Sequence, residues 1–177
     1  MVGEVPVTRL TIAAVNGLTA AEFVDRFGDV AEHSSWVAER AARARPYADR
    51  EAFVAAFVAA LEGAPEEARL ALIRAHPDLA GKAAIRGDLT DDSAREQAGA
   101  GLGSLTPGEF LRFQDLNDAY KRRFGIPFIF AVKGATKDMI LSAFETRIDN
   151  DYDVEVATAL GQVCRIFRFR IEDRVSP

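Results

Sequence analysis

Residues 65–82 read PEEARLALIRAHPDLAGK, and this stretch predicts a helix that ends at a histidine. A proline and two glutamates open it and Arg74 lies near its end, an order of charge that suits the helix dipole. Pro77 disfavours the helical conformation at the residue before it, so the helix should stop at His76. The spacing from Leu72 puts the imidazole on the apolar face of the helix. The sequence therefore predicts an inward-facing histidine at a helix terminus.

A histidine in this position has two possible roles. Its ordinary pKa lies near neutrality, so it can give or take a proton in a reaction. It can equally be a core histidine whose ring is hydrogen-bonded to a carbonyl group. The segment alone leaves both roles of His76 open. The only other histidine, His33, lies in a junction beside Trp36, where a structural role is the favoured interpretation.

The remainder of the chain favours an all-α fold. Apolar residues recur at helical spacing along nearly the whole sequence, and alternating β-branched runs are scarce. Phe53, Phe57 and Leu61 follow the i, i+4, i+8 pattern and are interpreted as helix core. Residues 127–132 are apolar and lie between a proline and a Lys-Gly turn, which predicts a short extended buried segment. We expect a single compact multi-helix domain over residues 1–177 that contains this one extended segment.

Length, charge and composition exclude several classes of protein. The chain has 177 residues, a net charge of −5 with both signs interspersed, and one cysteine. This pattern offers no basic stripe for nucleic acid and no intrachain disulfide, and no apolar run approaches the roughly 20 residues of a membrane span. The opening residues, MVGEVP, lack the basic and apolar parts of a signal peptide. We therefore expect a cytoplasmic protein that binds neither nucleic acid nor membrane.

The sequence also offers no obvious site for a metal or a cofactor. Two histidines and one cysteine, far apart in the chain, cannot supply the usual zinc-binding sets, and there is no glycine-rich phosphate loop. These observations favour cofactor-free acid/base chemistry on a small polar molecule.

A second candidate site lies on the next predicted helix. A loop is expected over residues 81–88, followed by a helix that begins at Ser93. Ser93, Glu96 and Gln97 stand at i, i+3 and i+4, which puts a hydroxyl, a carboxylate and an amide on one face. Ser-x-x-Glu is also a capping box, so a purely structural role is the alternative. Gln97 and the small residues 98–101 favour contact with a ligand, since a cap needs neither.

The extended segment is a third candidate. Phe128, Ile129, Phe130, Ala131 and Val132 carry backbone amide and carbonyl groups that helices cannot satisfy. Side chains, water or a flat polar ligand must therefore pair with these groups.

Arg170 is a fourth candidate. It falls on the apolar stripe of the last predicted helix, residues 152–175, together with Val163 and Phe167. A guanidinium that faces a core is costly unless it meets a carboxylate or a ligand. A buried ion pair and a ligand-binding role are about equally supported.

Combined, these residues resemble the family of 2-oxo-4-hydroxy-4-carboxy-5-ureidoimidazoline (OHCU) decarboxylases. The resemblance rests on HPDLAG at 76–81, SAREQ at 93–97, LNDAYKRRFGIPF at 116–128 and the ending around Arg170. It extends from about Leu18 to the C-terminus. The resemblance implies an all-helical homodimer that needs no cofactor and converts OHCU to (S)-allantoin and CO2 in urate breakdown. The absence of a peroxisomal tripeptide at the end of the chain fits a cytoplasmic form.

The resemblance also implies roles for the candidate residues. His76 would transfer the proton while held by Glu96, and Pro77 would lie beside the substrate. The remaining substrate contacts would come from Ser93, Glu96, Gln97, the backbone of Phe128, Ile129, Phe130, Ala131 and Val132, and Arg170. Two alternatives stay open. One is a non-catalytic helical module that binds a small heterocycle, and the other is a lyase or hydrolase that acts on a related ureido compound.

Overall fold

The computed structural model describes residues 9–177, apart from the side chain of Ala83. The described chain is built from α-helices joined by short loops, which confirms the all-α expectation. Residues 1–8, where the sequence predicts no signal peptide, lie outside the described residues. The described chain has ten α-helices and two short 3-10 helices, Ala42–Ala44 and Leu102–Ser104. The α-helices are α1 Ile12–Gly17, α2 Ala20–Phe27, α3 Trp36–Ala41, α4 Arg50–Glu62, α5 Glu66–Ala75, α6 Lys82–Arg86, α7 Asp91–Gly99, α8 Pro107–Phe124, α9 Lys137–Arg147 and α10 Tyr152–Arg174.

The chain divides into two compact units. Within the described residues, one consists of 9–64 together with Ile166–Pro177, and the other is Pro65–Arg165. The expectation of a single domain over the whole chain stays a prediction. Among residues 9–177, no helix combines the length and the apolar character that crossing a membrane requires.

The first unit has an aromatic core. Phe53, Phe57 and Leu61 on α4 are all at most 1% exposed, which confirms their assignment to the core. The rings of Phe53 and Phe57 pack edge to face at a centroid separation of 5.4 Å. Phe23 of α2 packs against Phe53 at 5.6 Å. Such ring pairs add a geometric preference to the burial of apolar area.

In the second unit, local capping residues define where α8 begins and ends. Thr106 and Glu109 form a reciprocal capping box at the start of the helix, and Gly125 ends it with a positive φ of 67°. A glycine adopts that left-handed conformation without steric cost. The end of α8 then leads directly into residues 127–132, which are neither helical nor part of a β-strand. The expected break in the helical pattern is therefore present.

Two local predictions were wrong. Residues 81–88 contain the short helix α6 instead of a loop, because the Gly81 carbonyl accepts hydrogen bonds from the amides of Ala84 and Ile85. The helix expected to begin at Ser93 begins at Asp91, and Thr90 caps it by accepting a hydrogen bond from the Ser93 amide at 3.3 Å. Thr90 was the better cap because it precedes two acidic residues that favour a helix N-terminus.

Candidate active site around His76

His76 ends α5 as the sequence predicts. It has extended backbone angles, φ −71° and ψ 139°, and its side chain is buried, with 9% exposed. Its Nδ1 lies 2.9 Å from the carbonyl oxygen of Leu72, one turn earlier. A carbonyl oxygen can only accept, so Nδ1 carries the hydrogen of that bond. In the neutral ring, Nε2 is then the nitrogen that can take up a proton. The bond expected of a core histidine therefore also fixes the tautomer that a general base needs.

A cavity of about 380 Å³ adjoins this histidine. His76, Pro77 and Pro127 are among its lining residues, and His76 and Pro127 are buried. Pro127 is the first residue of the extended segment, so the cavity brings together the end of α5 and the start of that segment. Its volume lies within the range of small-molecule sites.

The loop that follows Pro77 is fixed by three amide side chains. Gln97 on α7 accepts a hydrogen bond from the Ala80 amide at 3.0 Å. On α8, Gln114 donates to the Ala80 carbonyl at 2.8 Å, and Asn117 donates to the Leu79 carbonyl at 2.9 Å. Ala80 has a positive φ of 51°, which is uncommon for a residue with a side chain. We define these three residues as the amide clamp, because they hold the loop in a conformation that costs energy.

An ion pair and a close backbone turn restrict the same loop on its exposed side. Lys121 of α8 forms an ion pair with Asp78 at 2.6 Å. Gly81 closes the turn against Asp78, since a Cβ at position 81 would lie 2.6 Å from the Cβ of Asp78. The residues directly after His76 therefore have little freedom to move.

The three candidates on α7 share a helix but differ in burial. Ser93 and Gln97 are buried, at 6% and 5% exposed, and Glu96 is half-buried. The capping role considered for Ser93 belongs to Thr90 instead. Gln97 belongs to the amide clamp, which places this face of α7 against the loop that starts at Pro77.

The extended segment is buried and is held from one side. Phe128, Ile129, Ala131 and Val132 are at most 4% exposed, and Phe130 is half-buried. Arg147 of α9 donates to the Ile129 carbonyl at 2.7 Å. Gln162 of α10 accepts from the Ala131 amide at 2.9 Å. Side chains of the protein thus pair with two of the backbone groups that the sequence analysis expected to need a partner, the Ile129 carbonyl and the Ala131 amide.

Arg147 belongs to a buried polar network that the sequence reasoning missed. Its guanidinium pairs with Glu155, which is fully buried, and Asn150 donates to the same carboxylate at 2.9 Å. Tyr120 also donates to Glu155, and burial followed by this carboxylate raises the pKa of Tyr120 above its ordinary value. The phenol therefore stays protonated and remains a donor. The guanidinium also lies 4.3 Å from the ring centroid of Phe128, where cation–π attraction applies.

The helical wheel did not indicate this network. Glu155 lies about 80° from Val163, on the side away from Leu160 and Phe167, so it falls outside the apolar stripe of α10. A buried carboxylate requires a partner just as an inward guanidinium does, but only the structure shows that Glu155 is buried.

Arg170 lies in the other unit and is buried, with 2% exposed, as its place on the stripe predicts. Its guanidinium is 3.5 Å from the carboxylate of Glu32, which is 1% exposed. It also contacts the carbonyl oxygens of Asp29 and Val30, each at 3.4 Å. The buried ion pair considered from the sequence is therefore present. A role in ligand binding stays a prediction.

Comparison with known proteins identifies relatives along nearly the whole chain. The OHCU decarboxylase family model matches residues 16–172. The 2-oxo-4-hydroxy-4-carboxy-5-ureidoimidazoline decarboxylase of Haloferax volcanii is 44% identical over 167 residues, which cover 94% of this chain and 97% of that protein. The enzyme of the same name from Halalkalicoccus jeotgali is 41% identical over 170 residues, covering 96% and 94% of the two chains.

A solved structure gives the same result. The crystal structure of (S)-allantoin synthase matches with a TM-score of 0.77 and 29% identity. The match covers 94% of this chain and 54% of that chain, so this protein spans about half of it. The family model and the relatives of nearly equal length show that this chain belongs to the OHCU decarboxylase family.

Proposed function

We propose that this protein decarboxylates OHCU to (S)-allantoin and CO2 in urate degradation, without a cofactor, and that His76 is its acid/base residue. Family membership supports the reaction. The observation that carries the role of His76 is its position: this residue lines a cavity, and its imidazole is buried and fixed through Nδ1. A histidine held in one tautomer beside a ligand-sized space suits proton transfer.

The chemistry of the substrate explains why one such residue can suffice. The carbon that loses CO2 carries a hydroxyl group and adjoins a ring C=N bond. When the bond to the carboxylate breaks, its electron pair forms a C=C bond, and the π pair of the C=N bond moves to nitrogen, which takes a proton. The resulting enol then loses its hydroxyl proton and gains a proton on the neighbouring carbon. Delivery of that proton to one face sets the configuration of allantoin.

Within this proposal, His76 handles the proton of the enol, and Glu96 holds the imidazole once Nε2 carries that proton, because Nδ1 is bonded to the Leu72 carbonyl. Ser93 and Gln97 orient the substrate, and Pro77 lies beside it. The position of Gln97 supports this assignment, because its bond to the Ala80 amide places this face of α7 against the loop that follows Pro77. General acid/base assistance of this type is worth about 10²–10⁴-fold in rate.

The geometry of the extended segment suggests which of its backbone groups bind substrate. The rings of Phe128 and Phe130 are nearly parallel at 6.3 Å, as expected for side chains two residues apart in extended backbone. In such backbone, alternate residues direct their amide and carbonyl groups to opposite edges. Ile129 and Ala131 direct theirs towards α9 and α10. We infer that the opposite edge pairs with the ureido and ring amides of the substrate. It includes the backbone groups of Phe128 and Phe130 and the amide of Val132, whose carbonyl accepts from the Ala135 amide.

Arg170 has a different proposed role. We propose that Arg170, whose charge is compensated by Glu32, binds an oxygen of the substrate, since a guanidinium is a donor of several N–H bonds. We propose that this oxygen is not part of the departing carboxylate. Binding the carboxylate tightly would stabilise the ground state more than the transition state and would slow the reaction.

The proposal extends to assembly and location: the chain acts as a single domain, forms a homodimer and works in the cytoplasm. Light scattering on the purified protein tests the assembly directly. A mass of one chain at micromolar concentration would refute the dimer.

The activity is tested by adding freshly generated OHCU and following its absorbance, with circular dichroism to read the handedness of allantoin. The wild-type protein should accelerate OHCU loss and give only the (S) product. His76→Asn should remove the acceleration and the stereospecificity, with an unchanged far-ultraviolet spectrum. His33→Asn, a change at the exposed second histidine, is the matched control and should behave as wild type. A folded His76→Asn variant with the wild-type rate would refute the role of His76.

A further inference from the structure

The cavity beside His76 has a charged opening. Four exposed basic residues line it, and we define them as the cationic rim: Arg74, Lys82, Arg86 and Lys121. Two acidic residues, Asp78 and Asp118, also line the cavity, so positive charges exceed negative ones by two. This excess is local, because the whole chain carries a net charge of −5.

Two members of the cationic rim have acidic partners. Lys121 pairs with Asp78 at 2.6 Å, and Arg86 pairs with Asp88 at 2.7 Å. Arg74 and Lys82 form no ion pair with any residue in the described part of the chain. They are therefore the rim charges most available to an incoming anion.

The proposed reaction changes the charge of the ligand. OHCU carries a carboxylate, whereas allantoin has lost it as CO2 and is uncharged at neutral pH. We propose that the cationic rim attracts the carboxylate of OHCU to the cavity and so selects the substrate over the product; this inference rests on the proposed decarboxylase function.

The location of these charges suits attraction of the substrate during its approach. The four basic residues are exposed, while His76 is buried, so their field acts on the anion before it reaches the imidazole. A weak, solvent-screened interaction raises the local concentration of the anion without holding its carboxylate tightly during CO2 loss. The rim should therefore affect kcat/KM and leave kcat nearly unchanged.

The first test is kinetic and uses the double variant Arg74→Gln/Lys82→Gln. At low ionic strength its kcat/KM for OHCU should be about threefold to tenfold below wild type, with the same kcat, because half of the rim charge is gone. Raising the salt concentration should lower the wild-type kcat/KM towards that of the variant. Arg122→Gln is the matched control, since Arg122 is an exposed arginine of α8 outside the cavity lining, and it should match wild type.

The second test measures binding and does not depend on turnover. The probes are allantoate, a ureido compound with a carboxylate, and uncharged allantoin. The ring resonances of His76 report occupancy and can be assigned with the His33→Asn variant, because the chain has only two histidines. Wild type should bind allantoate about threefold to tenfold more tightly than allantoin at low salt, and the double variant should lose this preference.

The outcomes separate the two proposals. Loss of the preference supports the cationic rim even if wild type fails to turn over OHCU, a failure that would refute the decarboxylase function alone. A preference that persists unchanged in the double variant overturns the rim proposal. Equal kcat/KM values and salt dependences for wild type and the double variant would also overturn it.

Discussion

Replacing Arg147 with methionine should destabilise the protein strongly. The change leaves the fully buried carboxylate of Glu155 without its cationic partner and removes the donor to the buried Ile129 carbonyl. Removing one partner of a buried ion pair costs about 3–5 kcal/mol, and a carbonyl left unsatisfied costs about 1–3 kcal/mol. The two costs overlap because both follow from the loss of one guanidinium, so we expect a total loss of about 3–5 kcal/mol. This loss is a large share of the roughly 5–15 kcal/mol that stabilises a typical domain.

The assay is urea unfolding followed by far-ultraviolet circular dichroism at pH 7. With a urea m-value of about 2 kcal/mol/M, the unfolding midpoint of Arg147→Met should fall by about 1.5–2.5 M. Arg122→Met is the matched control. It removes an exposed arginine of α8 and should change the free energy of unfolding by no more than about 0.5 kcal/mol.

A double variant tests the physical reason for the effect. Adding Glu155→Gln to Arg147→Met removes the uncompensated charge but keeps an amide that Tyr120 can still bond to. The double variant should therefore be more stable than Arg147→Met alone, by about 1–3 kcal/mol. A loss below about 1 kcal/mol in the single variant would refute the reasoning. A double variant no more stable than the single one would show that the charge is not the cause.

Three further predictions concern other buried or capped groups. Asn117→Ala leaves the buried Leu79 carbonyl without its donor and should lower the free energy of unfolding by about 1–3 kcal/mol in the same assay. A change of only about 0.3 kcal/mol would contradict the role of Asn117 in the amide clamp. Gln162→Leu releases the extended segment and should raise KM for OHCU more than it lowers kcat; an unchanged KM would count against the segment as a binding element. The hydrogen bond from Lys137 and the capping contacts with Thr106 lower the pKa of Glu109 from 4.5 to about 2. The Glu109 carboxylate therefore contributes to stability above pH 4.5, and this contribution is lost as the pH falls towards about 2. The free energy of unfolding of wild type and Glu109→Gln should accordingly differ at pH 7 and converge near pH 2, and a gap that stays constant over this range would be inconsistent with that pKa.

The helix boundaries show how far local signals reach. Pro77 stops α5 at His76, and Thr106 with Glu109 starts α8, because capping and proline effects act within one turn of the chain. The same logic failed at α7, where two possible caps, Thr90 and Ser93, stood three residues apart. Only the folded backbone shows which of the two hydroxyls accepts the bond.

The candidate site shows the same limit. Helical periodicity correctly placed His76 and Arg170 on buried faces, because burial follows from the spacing of apolar residues. Periodicity could not name the carboxylate that meets Arg170, since Glu32 lies far away in the sequence. It also could not distinguish a ligand from a side chain as the partner of the extended segment.

The sequence by itself determined the helical class, the position of His76 at a helix end, the break at residues 127–132 and the family to which the chain belongs. Only the tertiary structure decided which partners the buried polar groups have: Gln97 with the Ala80 amide, and Arg147 with Glu155 and the Ile129 carbonyl. The physical reason is the range of the interactions. Helix formation and termination depend on neighbours within a turn, whereas the partner of a buried donor or acceptor depends on which distant surfaces pack together.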